Sequence, residues 1–176
     1  MRKLCFYASM LALACPLLLR AETEAETTLT QVGQQAPAFG CITLDGEKFE
    51  LKNLRGKVVL VNFFATWCGP CMAEMPHLEQ DVWQKFKDQN FALVAIGREH
   101  DNVELAKFQK KRHFTMPIAG DPKRKVYSLF AKQYIPRNYV IGADGRIAFQ
   151  SVGYAEPEFA RMVKAISQEL EKVRKK

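Results

Sequence analysis

The apolar positions of this chain fall into two rhythms. Dense β-branched and aromatic runs occupy 57–65 (KVVLVNFFA) and 91–97 (FALVAIG). Continuous runs of this kind suit strands buried on both faces of a sheet. Between them Met75, Leu78, Val82 and Phe86 recur every three or four residues, predicting a helix from Pro70 to about Asn90. Pro76 lies inside it, so a kink is expected there. A second helix is predicted over 101–113, opened by Asp101 and Asn102 as caps. The stretch 114–120 reads as a short strand. The stretch 121–134 reads as a third helix, with Asp121 as N-cap and Pro122 at its first position. Asp-Gly turns signal two hairpins: strands near 38–43 and 48–51 around Asp45-Gly46, and a pair within 138–153 around Asp144-Gly145. Phe159, Met162, Val163, Ile166, Leu170 and Val173 then mark one face of a closing helix.

A hairpin, strands alternating with helices, then a second hairpin and a helix imply an α/β fold. Its expected core is a mixed central sheet flanked by helices on both sides, preceded by an N-terminal β-hairpin. The twelve phenylalanines are enough to fill the two helix–sheet interfaces. One domain is expected over 36–176.

The N-terminus breaks the pattern. Arg2 and Lys3 precede an uninterrupted apolar run of 16 residues, 4–19. That is short for a membrane span of about 20 residues and suits the apolar part of a secretory leader. Residues 1–21 therefore read as a signal peptide cut near Ala21. An uncleaved anchor, or a lipoprotein attached at Cys15, are the alternatives. Residues 22–35 are polar and rich in Thr and Glu, and read as a flexible tether. The expected location is the periplasm or the extracytoplasmic face of a membrane, with tethering open.

Losing Arg2, Lys3 and Arg20 with the leader leaves 23 cationic residues against 19 acidic ones, a net charge of +4. The cations gather in short clusters at 110–112, 123–125 and 174–176, without interleaved aromatics. These read as solvated faces and helix ends, not a nucleic-acid footprint. Of five cysteines, the leader takes Cys5 and Cys15, leaving Cys41, Cys68 and Cys71. One close pair and one odd cysteine make no disulfide framework.

The chemistry concentrates in NFFATWCGPCMAEMPHL, 62–78. A structural zinc site needs four ligands, and Cys41, His77, His100 and His113 offer no second pair at finger spacing. Heme attachment needs histidine after the second cysteine, where Met72 stands. A purely structural staple would close too small a loop to restrain the unfolded chain much. A reactive dithiol gives each residue a reason. Cys68 follows a buried strand and precedes a helix, whose N-terminus favours the thiolate. Gly69 allows a tight turn, and Pro70 costs no hydrogen bond in the first turn. Cys71, one turn on, is placed to attack a mixed disulfide at Cys68.

FFATWCGPC, with Pro76 five residues after Cys71, resembles the thioredoxins. The leading LDGEKFELKNLRGKVVLVNFFATWCGPC and the extra central helical insertion look more like the exported TlpA/ResA group of thioredoxin-like proteins. The likeness runs from 36 to about 173. It implies a thiol–disulfide oxidoreductase, with Cys68 as exposed nucleophile and Cys71 as buried resolving thiol. Trp67 flanks the nucleophile. Pro136 matches the family's cis-proline, so the Ile135 backbone would pair with a partner chain. Gly69, Pro70, Trp67, Ile135 and Pro136 would form the substrate lip. Thioredoxins carry a buried aspartate where this chain has Asn62, which cannot titrate. Glu74 matches a glutamate of the ResA-like branch and is expected to take the proton of Cys71. A solvated first-turn glutamate is the plainer alternative.

The dithiol itself would carry the electrons, with no organic cofactor. Expected partners are disulfide-bearing proteins, apocytochrome c among them, and a membrane electron donor, with the chain acting as a monomer. Two other functions fit the same fold. A peroxidase of peroxiredoxin or glutathione-peroxidase type would use Cys68 after Thr66, though Cys71 beside it favours exchange. A copper(I) chaperone would use both thiolates. Cys41 reads as a small buried hydrophobe. His77 is expected to be surface or half-packed, His100 and His113 are expected to be unremarkable helix-edge residues, and Trp83 and Phe86 core or half-core.

Overall fold

The computed structural model describes residues 23–175, so the leader reading lies outside the described residues. The chain runs β1 (Gly40–Ile42), β2 (Lys48–Glu50), β3 (Val58–Phe64), α1 (Gly69–His77), a π-helical turn (Leu78–Trp83) and α2 (Gln84–Phe86). It continues through β4 (Phe91–Arg98), α3 (Asn102–Arg112), β5 (Ile118–Asp121), α4 (Tyr127–Phe130), β6 (Arg137–Ile141), β7 (Ile147–Val152) and α5 (Glu156–Arg174). Strands β3 to β7 form one sheet in the order β5-β4-β3-β6-β7, and β1 and β2 form the separate hairpin. β3 is parallel to β4 and β4 to β5, whereas β6 pairs antiparallel with β3 and β7.

Every residue of β3 is buried, as its unbroken apolar run requires. Val58, Leu60 and Phe64 face one core, while Val59, Val61 and Phe63 face the other. The crossovers β3–α1–β4 and β4–α3–β5 step in the same direction along the sheet. Right-handed connection then puts α1 and α3 on one face. There Met75, Leu78 and Leu105 pack with Met162, Ile166 and Leu170 of α5. The opposite face is covered by Phe49 and Leu51 of the hairpin region and by Tyr127 and Phe130 of α4. Helical cover is thus uneven: on the second face it comes from short α4 and the 3₁₀ turn Leu51–Leu54.

Three sequence expectations are corrected. The helix predicted over 70–90 is interrupted: past Pro76, which has no N–H to donate, the register widens into the π turn. Inside that turn Glu79 is buried. Burial alone would raise its pKa, but Thr115, Gln84 and the Thr115 and Met116 amides donate to it and hold it below the usual range. The helix predicted over 121–134 shrinks to α4. Asp121 ends β5, and its carboxylate accepts from the Val126 and Tyr127 amides at 3.0 and 2.8 Å. Arg124, at φ 55°, interrupts any helical path from Pro122.

The third correction concerns the tether. Thr27 and Thr30 are buried, Thr28 bridges Ala131, and the Gly33 amide donates to the Ile147 carbonyl at 2.7 Å. The reason is Arg137, whose side chain is fully buried in β6. A buried guanidinium must satisfy five donors. Arg137 Nη2 donates to Thr27 Oγ1 at 2.9 Å and Nη1 to Thr28 Oγ1 at 2.8 Å. Nε donates to the Gln133 and Tyr134 carbonyls at 2.9 and 3.2 Å. The polar residues that look like a linker are therefore the acceptors of an internal cation. Thr27→Val keeps the shape and removes one acceptor. It is expected to cost about 1–3 kcal/mol, read as a lower midpoint in urea unfolding with unchanged slope.

Candidate active site

β3 ends at Phe64, and the chain turns over Ala65–Cys68, with the Cys68 amide donating to the Ala65 carbonyl at 3.1 Å. Cys68 is the N-cap of α1, and Pro70 lies in its first turn. The Cys71 amide donates to Cys68 Sγ at 3.2 Å, so the sulfur itself receives a free N–H of the helix start. Cys68 and Cys71 are joined as a disulfide. Cys68 keeps 6% of its surface and Cys71 none. The first sulfur is thus the accessible one, though less open than its expected role implies. Gly69 and Pro70 are exposed beside it, and Trp67 is 60% exposed.

Opposite the turn, Cys68 Sγ lies 3.7 Å from the Ile135 carbonyl. The Ile135–Pro136 peptide is cis. Ile135 is half-buried between both cores. The cis peptide thus faces the turn that carries Cys68 between exposed Trp67 and exposed Gly69 and Pro70, while Pro136 itself is buried. Arg98, at the end of β4, places its guanidinium 5.5 Å from the Trp67 ring and 5.1 Å from that of Tyr127.

Behind the dithiol, Glu74 shares α1 with Cys71, three residues on, and is 2% exposed. The solvated-glutamate alternative fails on that burial. Asn62 Nδ2 donates to Glu74 Oε2 at 3.0 Å and Asn138 Nδ2 to Oε1 at 2.6 Å. Asn62 also donates to Asn138 Oδ1 at 2.8 Å, closing a triangle. Burial pushes the Glu74 carboxyl up to about 7, against the two amide hydrogen bonds, which favour its ionised form. Asn62 and Asn138 are direct partners in the β3–β6 register. Asn62 thus occupies the thioredoxin aspartate's position as a donor to the residue that does titrate.

Cys41 is unpaired and half-buried, and burial together with Asp121 pushes its thiol up to about 11. Such a thiol stays protonated and inert. His77 is exposed, stacks on Tyr154 and meets Asp81 at 3.0 Å. Phe86 is buried and Trp83 partly so, while His113 is the exposed left-handed cap of α3. His100 departs from expectation. It is 3% exposed and lies under the active-site turn, its Nε2 accepting from the Thr66 amide at 3.0 Å. Asn138 and Arg98 were likewise not singled out by sequence. An Asn two residues after the lip proline, in an apolar strand, is a signal that was there to find. Arg98 carries none.

Comparison with known proteins decides the family. The AhpC/TSA family model matches residues 32–150. The chain belongs to the AhpC/TSA family. Within it, the chain is 31% identical over 129 residues to the thiol-disulfide oxidoreductase ResA of Bacillus thuringiensis (strain Al Hakam), covering 73% of this chain and 74% of that one. ResA of Bacillus subtilis (strain 168) is 30% identical over 115 residues, 65% of this chain and 64% of that one. Among solved structures, a thioredoxin-family thiol:disulfide interchange protein from Chlorobium tepidum TLS superposes with a TM-score of 0.66 at 27% identity. That match covers 80% of this chain and 98% of the other. A Bacteroides thetaiotaomicron protein, provisionally assigned as a protein disulfide isomerase, reaches 0.79 at 36% identity, over 82% and 93%. This AhpC/TSA-family chain is a TlpA/ResA-like thioredoxin-fold thiol–disulfide oxidoreductase, an enzyme acting on disulfide-bearing proteins. The relatives' named activity is thiol–disulfide exchange rather than peroxide reduction or copper carriage.

Proposed function

We propose that this oxidoreductase reduces disulfides of partner proteins outside the cytosol, with Cys68 as nucleophile, Cys71 as resolving thiol and Glu74 as the base. The observation that carries the reading is the buried Glu74 carboxyl, held by two amides on the helix that bears both cysteines and poised to titrate near neutrality. In the reduced enzyme the Cys68 thiolate, held by the Cys71 amide and the start of α1, attacks one sulfur of the substrate disulfide. A mixed disulfide forms and the other substrate sulfur leaves as a thiol. Glu74 then takes the Cys71 proton, and the Cys71 thiolate attacks Cys68 Sγ. The mixed disulfide breaks, the second substrate thiol leaves, and Cys68–Cys71 closes. Two electrons pass from the dithiol to the substrate, so no organic cofactor is required.

The lip at Trp67, Gly69, Pro70, Ile135 and Pro136 supports extended substrate, with the Ile135 backbone as its pairing edge. Apocytochrome c is the substrate the ResA likeness favours. A membrane electron donor would return the dithiol to its reduced form, and the enzyme would act as a monomer. The apolar run at 4–19 behind Arg2 and Lys3 supports export. The Gly-Pro between the cysteines matches reducing thioredoxins, at about −270 mV. Equilibration with a dithiol buffer is expected to give a potential near that value. One near the roughly −120 mV of a disulfide donor overturns the reductive direction.

A further inference from the structure

The active-site turn is held from below by a residue with no part in the exchange chemistry. β3 and β4 end side by side in parallel, and the chain leaving β4 turns sharply at Glu99, a non-glycine residue at φ 67°. That turn places His100 beneath the loop that carries Trp67 and Cys68. Its backbone is closely packed: a Cβ added to Gly120 would lie 2.7 Å from the His100 carbonyl oxygen. The His100 ring is buried, and its two nitrogens face different neighbours. Nε2 lies 3.0 Å from the Thr66 amide and 3.3 Å from Thr66 Oγ1, while Nδ1 lies 2.7 Å from Glu104 Oε2, one turn into α3.

These contacts settle the tautomer. A backbone N–H can only donate, so Nε2 carries a lone pair and the hydrogen sits on Nδ1, which makes no hydrogen bond although the Glu104 carboxylate lies beside it. Here the Nε2 lone pair is already taken by the Thr66 amide, so the ring organises backbone instead of activating an oxygen.

We propose that His100, its tautomer set by the Thr66 amide, is a positioning residue for the exchange reaction. It pins the Thr66 amide, and thereby the Ala65–Cys68 turn, so that Cys68 Sγ stays against the Cys71 amide. The inference rests on the reading of Cys68 as nucleophile. Without the pin the sulfur drifts from the N–H that stabilises its thiolate, and the thiol ionises at higher pH.

The test is the rate of iodoacetamide capture at Cys68 in the reduced full chain across pH, with ¹⁵N NMR of the imidazole. Wild type is expected to show the Nδ1–H tautomer. His100→Leu is expected to slow capture at pH 7 about tenfold, the scale of a buried donor losing its partner, and to move the profile to higher pH. His100→Gln, which can offer an oxygen near the Nε2 position, is expected to recover to within about twofold of wild type. A folded His100→Leu captured at the wild-type rate overturns the proposal, as does His100→Gln no faster than His100→Leu. An Nε2–H tautomer in the wild type, in which that nitrogen cannot accept from the Thr66 amide, overturns it whether or not His100→Leu folds. Wild-type Cys68 no more reactive than Cys71 instead removes the nucleophile reading itself, whatever His100 does.

Discussion

A Cys71→Ser variant is expected to accumulate a covalent adduct with its protein substrate and to turn over no disulfide. The sulfur that would close the cycle is gone, while Cys68 still sits at the start of α1 with a backbone N–H directed at it. Serine in place of Cys71 keeps that backbone donor, so the first attack proceeds and the mixed disulfide has no internal resolving thiol. Cys68→Ser is expected to form no adduct, because Cys71 is fully buried and meets no substrate. Non-reducing electrophoresis with insulin, followed by mass spectrometry of the linked peptides, reads both outcomes. Adducts at Cys71, or full turnover by either serine variant, would reverse the assigned roles.

Glu74→Gln carries the second large effect, and it acts in two directions. For catalysis, the wild-type rate of resolution is expected to rise as pH passes through about 7, where the carboxyl becomes able to accept a proton. The glutamine enzyme lacks that rise and resolves about a hundredfold more slowly near pH 8, the scale of a lost general base. Stability moves the opposite way. Burial raises the carboxyl from 4.5 to about 7 in the folded chain. Between those values the folded state holds a proton that the unfolded state has lost, so stability falls as pH rises. The loss is fully present above about 7 and amounts to about 3 kcal/mol. Glu74→Gln is therefore expected to remove the decline and to unfold at higher urea than wild type at pH 8. A slower enzyme that is also sturdier is hard to obtain from a merely structural lesion. An unchanged pH profile of the mixed-disulfide decay would take Glu74 out of the mechanism.

Much of this was legible in the residues. Strands β3 and β4 announce themselves as runs that must be buried on two faces, and FFATWCGPC places the dithiol where a strand gives way to a helix. Trp67, Pro136 and Glu74 followed from likeness to a family rather than from periodicity, which has no way to pair residues from α1 and β6. What stayed hidden depends on long-range neighbours. Asn62 reads as a missing acid until Asn138 is set opposite it by strand register. His100 reads as a helix-edge histidine until two parallel strand ends bring it under Thr66. The third helix was over-read because Asp121 and Pro122 are good starting residues for a helix that Arg124 then interrupts. Its first turn is replaced by a side-chain bracket to the Val126 and Tyr127 amides.

The docked segment at 27–30 also moves the N-terminal limit of the catalytic body. On composition, Ala36 is the natural place to trim the chain. Arg137, next to the lip proline, says otherwise, because its guanidinium leans on hydroxyls that such a cut discards. A change of sequence upstream of residue 23 keeps those hydroxyls. A graft made at 36 strips a fully buried guanidinium of two of its acceptors, one residue from the cis-proline.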